Sequence, residues 1–502
     1  MKRYIIVFLM LCLGATFYFL ANEQPSTKPS DLYPSSKFVS IKDGKFNINN
    51  RPFYPITINY LVDLMTDNDE YWPTSSSVYK QSPKYRYRTK DSCLMQLKAD
   101  MDYIKELGFN SIRIVGATEE LIDDPKTGEL SVRANTTSYK NASLELNNDE
   151  NYKKYFGALA ELSSIINAAG LKTIFLTRNA IDVKATEDHL KKFAYYFRND
   201  TSILAFDLFN EPLYFDPIER DKDFVYKRIK QWRKTVRSVA PNHLVTIGLT
   251  GIREVFEWDP NMLDIDFISY HPYEYEPDQV RNEIYWYGKY VNKPWIIGET
   301  AIPADNDSVS YETQKQFANK TIKQAFDCGA IGYSWWQYKD VEWHNFHANF
   351  MGIMNWKNET HTTKPNIPIE GTAKPVAEIF KIFNPNTKKE NCKCFDNYYN
   401  YSQHKLCKIV GRLVDESEKP IEGGVILAWN EYWSKSYHTV TKIDGTFELK
   451  GNFPFYHWMA SATRYSMTRD DVEFENVQLN ADNTITINLG DVSVEKLSFI
   501  KD

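Results

Sequence analysis

Basic charge, phosphate-type glycine loops, long apolar runs and cysteine are all scarce in this chain, and each scarcity excludes something. Its 502 residues carry 60 Lys and Arg against 66 Asp and Glu, a formal net charge of −6. That composition does not supply the basic face that a nucleic-acid partner demands. No glycine-rich phosphate loop follows the first strand-like run, which weighs against a nucleotide-binding open sheet. Beyond Ala21 no apolar run approaches the roughly 18 residues that suggest a bilayer-spanning helix, so the remainder is expected to be soluble. Cysteine numbers only six. With Cys12 inside the N-terminal apolar run, the other five are Cys93, Cys328, Cys392, Cys394 and Cys407, and an odd count leaves one thiol unpaired. A small-loop disulfide from Cys407 to Cys392 or Cys394 is the expectation. A zinc site there is weaker, because C-x-C with one further Cys supplies three ligands of the usual four. The surplus is aromatic: 33 Tyr, 29 Phe and 12 Trp make 15% of the chain. Composition alone leaves two readings of it, core packing and flat stacking surfaces for a ligand such as a sugar.

Lys2 and Arg3 precede the apolar run Tyr4–Ala21, which ends at the polar Asn22-Glu23-Gln24. Residues 1–24 therefore read as an export signal. A cut after Ala21 would put Phe19 where a small residue is wanted, so an uncleaved signal anchor, with membrane attachment through residues 4–21, stays open. The expected location is secreted, periplasmic or cell-surface. Residues 25–36, PSTKPSDLYPSS, read as a linker.

From 37 to 388, eight short apolar runs alternate with amphipathic helical ones. The strand-like runs begin at Phe53, Ser111, Leu171, Ile203, Leu244, Phe267, Trp295 and Ile331. They are continuously apolar, as strands buried on both faces of a parallel sheet are. Eight such units predict an α/β fold, a (β/α)8 TIM barrel, with a doubly wound open sheet as runner-up. The segments 61–92, 116–150 and 337–372 follow strands and are expected as long loops on the C-terminal rim. Residues 389–407 read as a Cys-containing linker. Residues 408–502 alternate in short segments broken by turns such as Asp444-Gly445, which predicts a small β-sandwich.

Active sites of such barrels are built at the C-terminal ends of the strands. Those ends carry Asn59-Tyr60, Arg113, Thr177-Arg178-Asn179, Asn210-Glu211-Pro212, His271-Pro272-Tyr273, Glu299 and Trp335-Trp336-Gln337. A carboxylate directly after a buried strand is costly unless paired or functional. Two facing one pocket repel, which raises one pKa and leaves the other ionised. That is the acid and nucleophile pair required to break a glycosidic bond. Glu211 and Glu299 are the catalytic candidates. Arg113, Asn210, His271, Tyr273 and Trp336 are the candidates for substrate binding, with Arg113 and Tyr273 also supporting the nucleophile. Each residue alone reads as structural; their joint placement carries the expectation. Tyr71, Trp72, Tyr273, Tyr275, Trp336, Trp343 and Phe346 are the aromatics expected to stack on sugar.

The segments NSIRI (110–114), LFNEP (208–212), ISYHPY (268–273) and WIIGET (295–300) resemble the retaining glycoside hydrolases of the large (β/α)8 clan, and family 5, the cellulase and mannanase family, above all. The resemblance implies Glu211 as acid/base, Glu299 as nucleophile, and no metal or organic cofactor. It departs at strand 3, where the family has His and this chain has Thr177-Arg178. GRLVDESEKPIEGG (411–424) and TKIDGTFELKG (441–451) resemble the transthyretin-like, carboxypeptidase-regulatory-like β domain, expected as a structural spacer rather than a carbohydrate binder. The resulting expectation is a retaining hydrolase of a β-mannan- or β-glucan-type glycan. Its rivals are a non-catalytic glycan-binding barrel and a transglycosylase on the same site.

Overall fold

In the computed structural model, residues 37–498 are described apart from 80–87, 118–120, 124–128, 178, 217, 274–276, 344, 357–359, 364–366, 400–401 and 403. The expected signal (1–24) and linker (25–36) lie outside the described residues, as do Arg178 and Tyr275. Among the described residues no helix is long and apolar enough to cross a membrane.

Eight parallel strands close on themselves: β1 (Ile56–Asp67), β2 (Ser111–Gly116), β3 (Lys172–Leu176), β4 (Ile203–Asn210), β5 (Leu244–Leu249), β6 (Ile268–Tyr270), β7 (Trp295–Ile297) and β8 (Tyr333–Trp335). Neighbours pair in chain order, and β8 returns to β1 through Tyr333↔Ile56, Ser334↔Thr57 and Trp335↔Ile58. This is the expected (β/α)8 barrel. The surrounding helices are α1 (Lys90–Glu106), α2 (Asp149–Ala168), α3 (Lys184–Tyr196), α4 (Lys222–Val239), α5 (Pro277–Tyr290), α6 (Tyr311–Asp327) and α7 (Ala377–Ile382). Their starts follow local chemistry. Thr89, Asn148 and Ser310 accept from the N–H groups of Ser92, Asn151 and Thr313, satisfying first-turn donors that have no partner within the helix. Between β5 and β6 the connection is a single 3-10 turn, Ile252–Phe256, where a helix would stand.

The bottom of the barrel is plugged. A three-stranded antiparallel sheet (Ser40–Lys42, Lys45–Ile48, Arg51–Phe53) sets Val39 and Phe46 against Ile174, Leu204, Leu244, Phe267 and Ile296 at the strand starts. Long loops were expected on the top rim, but part of it is sheet. β1 runs on to Asp67, turns at Asn68-Asp69 with both residues at positive φ, and returns along Glu70–Ser75. Two such residues make the tight turn that fits strand twist. This hairpin buries Trp72 with Met65 and Cys93, so Trp72 is core and unavailable for stacking on sugar. The segment 116–150 likewise carries the hairpin Leu130–Thr136/Asn141–Glu145, and 337–372 carries Thr360–Thr363/Ile367–Glu370.

The C-terminal part forms two four-stranded sheets from β9 (Cys407–Asp415), β10 (Val425–Trp429), β11 (Ser436–Val440), β12 (Thr446–Gly451), β13 (His457–Ser461), β14 (Thr468–Asp471), β15 (Val477–Leu479) and β16 (Ile485–Val494), ordered β12-β9-β16-β15 and β11-β10-β13-β14. β10 is buried on both faces. Ile426 and Ala428 enter the inter-sheet core, while Val425, Leu427 and Trp429 join the core of the barrel. Lys222 at the start of α4 reinforces this docking. Its buried ammonium donates to Asp259, Ser461 Oγ and the carbonyls of Ala462 and Tyr465. Trp286 donates to Gly423 O at 2.8 Å.

The cysteine pairing differs from the expectation. Cys328, just past α6, bonds Cys392 with a Cα–Cα distance of 4.5 Å, and Cys93, Cys394 and Cys407 are free. Cys407 opens β9 and is buried in the sandwich core, which removes it from reach of its sequence neighbours.

Candidate active site

The site grows from one buried cation. Arg113 on β2 is wholly inaccessible, so its charge must be met from within the protein. Its Nε donates to Asp207 (2.8 Å), Nη1 to Asn59 (3.0 Å) and to Glu299, and Nη2 to Asn210 (2.8 Å). Asn59 in turn donates to Gly298 O and Trp335 O, both at 3.1 Å. One guanidinium thus ties together β1, β2, β4 and the C-terminal end of β7 and, through Asn59, that of β8.

Regular alternation along β4 would turn Asp207 and Asn210, three residues apart, to opposite faces. The register between them shifts: Asp207 pairs with Thr246 and Asn210 with Gly248. This bulge brings both side chains to Arg113. Glu211 follows in the left-handed region (φ 49°), its N–H donating to Gly248 O at 2.9 Å. Such a conformation costs about 1–3 kcal/mol in a non-glycine residue and persists where the surroundings over-determine it. It turns the carboxylate into the barrel mouth just as the helical turn Pro212–Phe215 begins.

His271 fills the space between the two glutamates. Its Nδ1 lies 3.0 Å from Glu211 Oε1 and 3.6 Å from Glu299 Oε1, and its Nε2 lies 3.1 Å from Ser269 Oγ. The ring requires glycine on both sides. A Cβ at Gly248 would stand 2.6 Å from His271 Cε1, and one at Gly298 would stand 1.9 Å from Ser269 Oγ. Burial lowers the His271 pKa to about 4, leaving the imidazole neutral. Tyr273 donates to Glu299 Oε2 at 3.1 Å, and its own pKa is driven far up by burial, so it stays a donor.

The two carboxylates are compensated unequally. An oxygen of Glu211, an oxygen of Glu299 and a ring nitrogen of His271 all lie within 4.8 Å of one another. Burial raises both carboxyl pKa values. For Glu299 the adjoining His271 ring, the Arg113 charge and the Tyr273 hydroxyl oppose the rise. For Glu211 burial carries it to about 7, against Arg113 and with help from Asp207. Glu211 therefore keeps its proton to about pH 7, while a guanidinium and a phenol on the oxygens of Glu299 favour its anion. Behind Glu211, buried Glu254 accepts from Thr250 Oγ1 (2.6 Å) and Leu213 N (3.2 Å), bracing the turn.

Both glutamates open into a cavity of about 740 Å³, lined also by Asn210, Thr177, Asn179, Trp336 and Trp343. Of the expected substrate-binding residues, Asn210 and Trp336 reach this wall. Arg113 and His271 are buried beneath the carboxylates, and Tyr273 bonds Glu299. Trp335 belongs to the core, donating to Met351 O at 3.0 Å. Two residues escaped sequence reasoning. Asp207 could have been suspected as an acid inside the apolar run ILAFDLFN. Asn179 is buried, and neither of its amide atoms has a protein partner. It stands just past β3, at the strand end Thr177-Arg178-Asn179, where residue type alone did not single it out from its neighbours.

Similar solved structures include a glycoside hydrolase family 5 mannosidase from Rhizomucor miehei (13% identity, 70% of this chain and 97% of that one, TM-score 0.44). A β-mannanase from the blue mussel Mytilus edulis is similar at 12% identity, covering 60% of this chain and 92% of its own, TM-score 0.40. A β-D-glucuronidase of Dictyoglomus thermophilum is similar at 14%, covering 68% and 52%, TM-score 0.41. No curated protein matches the sequence. Residues 76–339, more than half of the chain, match the cellulase family, glycosyl hydrolase family 5, and the chain belongs to that family and is a glycoside hydrolase.

Proposed function

We propose that the protein hydrolyses β-linked glycans of the β-mannan or β-glucan type with retention of anomeric configuration. The observation that carries this is the unequal carboxylate pair around His271, with oxygens of Glu211 and Glu299 within 4.8 Å. Retaining enzymes hold their carboxyls about 5–5.5 Å apart, and inverting ones about 6.5–9.5 Å, to admit a water.

In this reading Glu299 attacks the anomeric carbon while Glu211 protonates the departing glycosidic oxygen. Glu211, now ionised, then takes a proton from the water that releases the glycosyl-enzyme. Arg113 and Tyr273 hold the Glu299 oxygens in line and disperse their charge. His271 fixes the spacing of the pair. Asn210, its oxygen engaged by Arg113, offers its amide to a sugar hydroxyl, and Asn179 offers a second unpartnered amide. Trp336, beside Trp343, gives the sugar a flat apolar floor. The proposed division is a catalytic barrel over 37–388, a linker over 389–407, and a transthyretin-like domain over 408–502. The Cys328–Cys392 disulfide fits an oxidising compartment, in line with export.

Incubation with a fluorinated aryl glycoside should leave a glycosyl mass on the peptide containing Glu299, and Glu299→Gln should abolish turnover. Retained turnover in that variant would show the nucleophile is misassigned. Reducing-end release from mannan, glucan, xyloglucan and galactan identifies the sugar. Product analysis at high acceptor concentration separates hydrolysis from transglycosylation.

A further inference from the structure

A second cavity, of about 360 Å³, lies where the barrel meets the C-terminal sheets. Its walls are the helical turn after Glu211, the turn Ile252–Phe256, and Leu427, Trp433 and Met459 of the C-terminal part. Asp216 and Ile218 line both this cavity and the catalytic one, so the two are adjacent and share a wall. The connecting ridge is apolar and uncovered: Tyr214 is 61% exposed, Phe215 59%, Ile218 51% and Trp433 50%. Apolar groups gathered this way on a surface mark a binding face.

Trp433 is held flat. It stacks on buried Trp429 at 4.1 Å and 24°, and Trp429 stacks on His457. Its loop is cinched by Asn430, whose side chain accepts from Ser434 N and Lys435 N. Trp433 itself sits at φ 53°, a conformation that costs a non-glycine residue and gathers at functional sites. Carboxylates and a guanidinium edge the apolar floor: Asp216, Glu219, Glu257 and Arg253 all line the cavity. An apolar plate bordered by charged hydrogen-bonding groups matches a sugar, which presents C–H faces and hydroxyl edges.

We infer that this ridge binds the leaving-group half of the glycan, with Trp433 of the C-terminal domain as its distal stacking platform. The inference rests on the proposed function for its direction. The acid that protonates the departing oxygen faces the leaving-group sugars, and the ridge starts at Tyr214 in the helical turn that follows Glu211. Adjacency to the catalytic cavity, across the exposed apolar residues Phe215 and Ile218, selects the occupant, the same glycan chain that is cut. The C-terminal domain then contributes to substrate length preference and is more than a spacer.

The test compares wild type with Trp433→Ala and Trp433→Phe on aryl β-mannoside and β-glucoside and on manno- and cello-oligosaccharides from disaccharide to hexasaccharide. Trp433→Ala should raise KM on the hexasaccharide about five- to tenfold, the effect of one lost stacking contact, with kcat and the aryl glycosides unchanged and most of the loss restored in Trp433→Phe. Equal losses on short and long substrates, or none on the hexasaccharide, would overturn the inference. So would a dimeric wild type that becomes monomeric in Trp433→Ala by light scattering, since the ridge would then cover a second copy. If wild type cleaves none of these substrates, the proposed function fails separately. The ridge is then read by electrophoretic retardation in gels of β-mannan, β-glucan and xyloglucan. Retardation lost in Trp433→Ala supports it, and no retardation of wild type overturns it.

Discussion

At the scale of single residues, the site separates two chemically identical side chains by what surrounds them. For Glu211, burial, helped by Asp207, outweighs the charge of Arg113, and its pKa rises to about 7. Glu299 has Arg113 and Tyr273 directly on its oxygens. The proposed mechanism needs Glu211 protonated and Glu299 ionised. The rate should therefore fall as pH rises through about 7, and fall again at acid pH once Glu299 is protonated. A pH profile of kcat/KM that stays flat to pH 9 would contradict the acid role. Linkage makes a second expectation. A carboxyl whose folded pKa lies above its unfolded value contributes stability below the unfolded value and loses it as pH rises toward the folded one. Glu211→Gln, neutral throughout, should thus raise the melting temperature relative to wild type more at pH 8 than at pH 5. Calorimetry at the two values checks the sign.

At the scale of elements, the geometry depends on departures from regular structure. The β4 bulge brings Asp207 and Asn210 to one guanidinium, and the positive-φ Glu211 ends the strand within one residue. β5, β6 and β7 approach so closely around His271 that Gly248 and Gly298 leave no room for a methyl group. Gly298→Ala should displace His271 and, with it, both carboxylates. Misplacement by about 1 Å costs on the order of a hundredfold in rate, and that loss in kcat is expected with far-UV circular dichroism unchanged. Unaltered kcat would mean that His271 does not set the spacing.

At the scale of the whole molecule, barrel and sandwich share one apolar core through Val425, Leu427, Trp429 and Met459, and Lys222 is the charged pin in that joint. Its lowered pKa reflects burial, offset by Asp259. Lys222→Ala leaves the Asp259 carboxylate buried without its cation. Breaking such a pair costs about 3–5 kcal/mol, which urea unfolding should register together with faster proteolysis between the two parts. A loss below about 1 kcal/mol would show the joint is held by apolar packing alone.

The chain by itself determined the elements and their chemistry. Continuous apolar runs ending in Asn210-Glu211 or Gly298-Glu299 can only be buried strands with polar tips, because a strand covered on both faces tolerates charge only at its ends or against a partner. Periodicity and residue type are local, so they survive in sequence. What tertiary structure alone decided is whatever depends on distance between remote segments: Asp207 as counterion to Arg113, Asn179 at the cavity wall, Trp72 turned into core, Cys392 bonded to Cys328 in place of Cys407. The docking of Trp433 beside the turn after Glu211 joins residues more than two hundred apart in the chain. No local pattern encodes such contacts, since they arise from how separate apolar faces find one another.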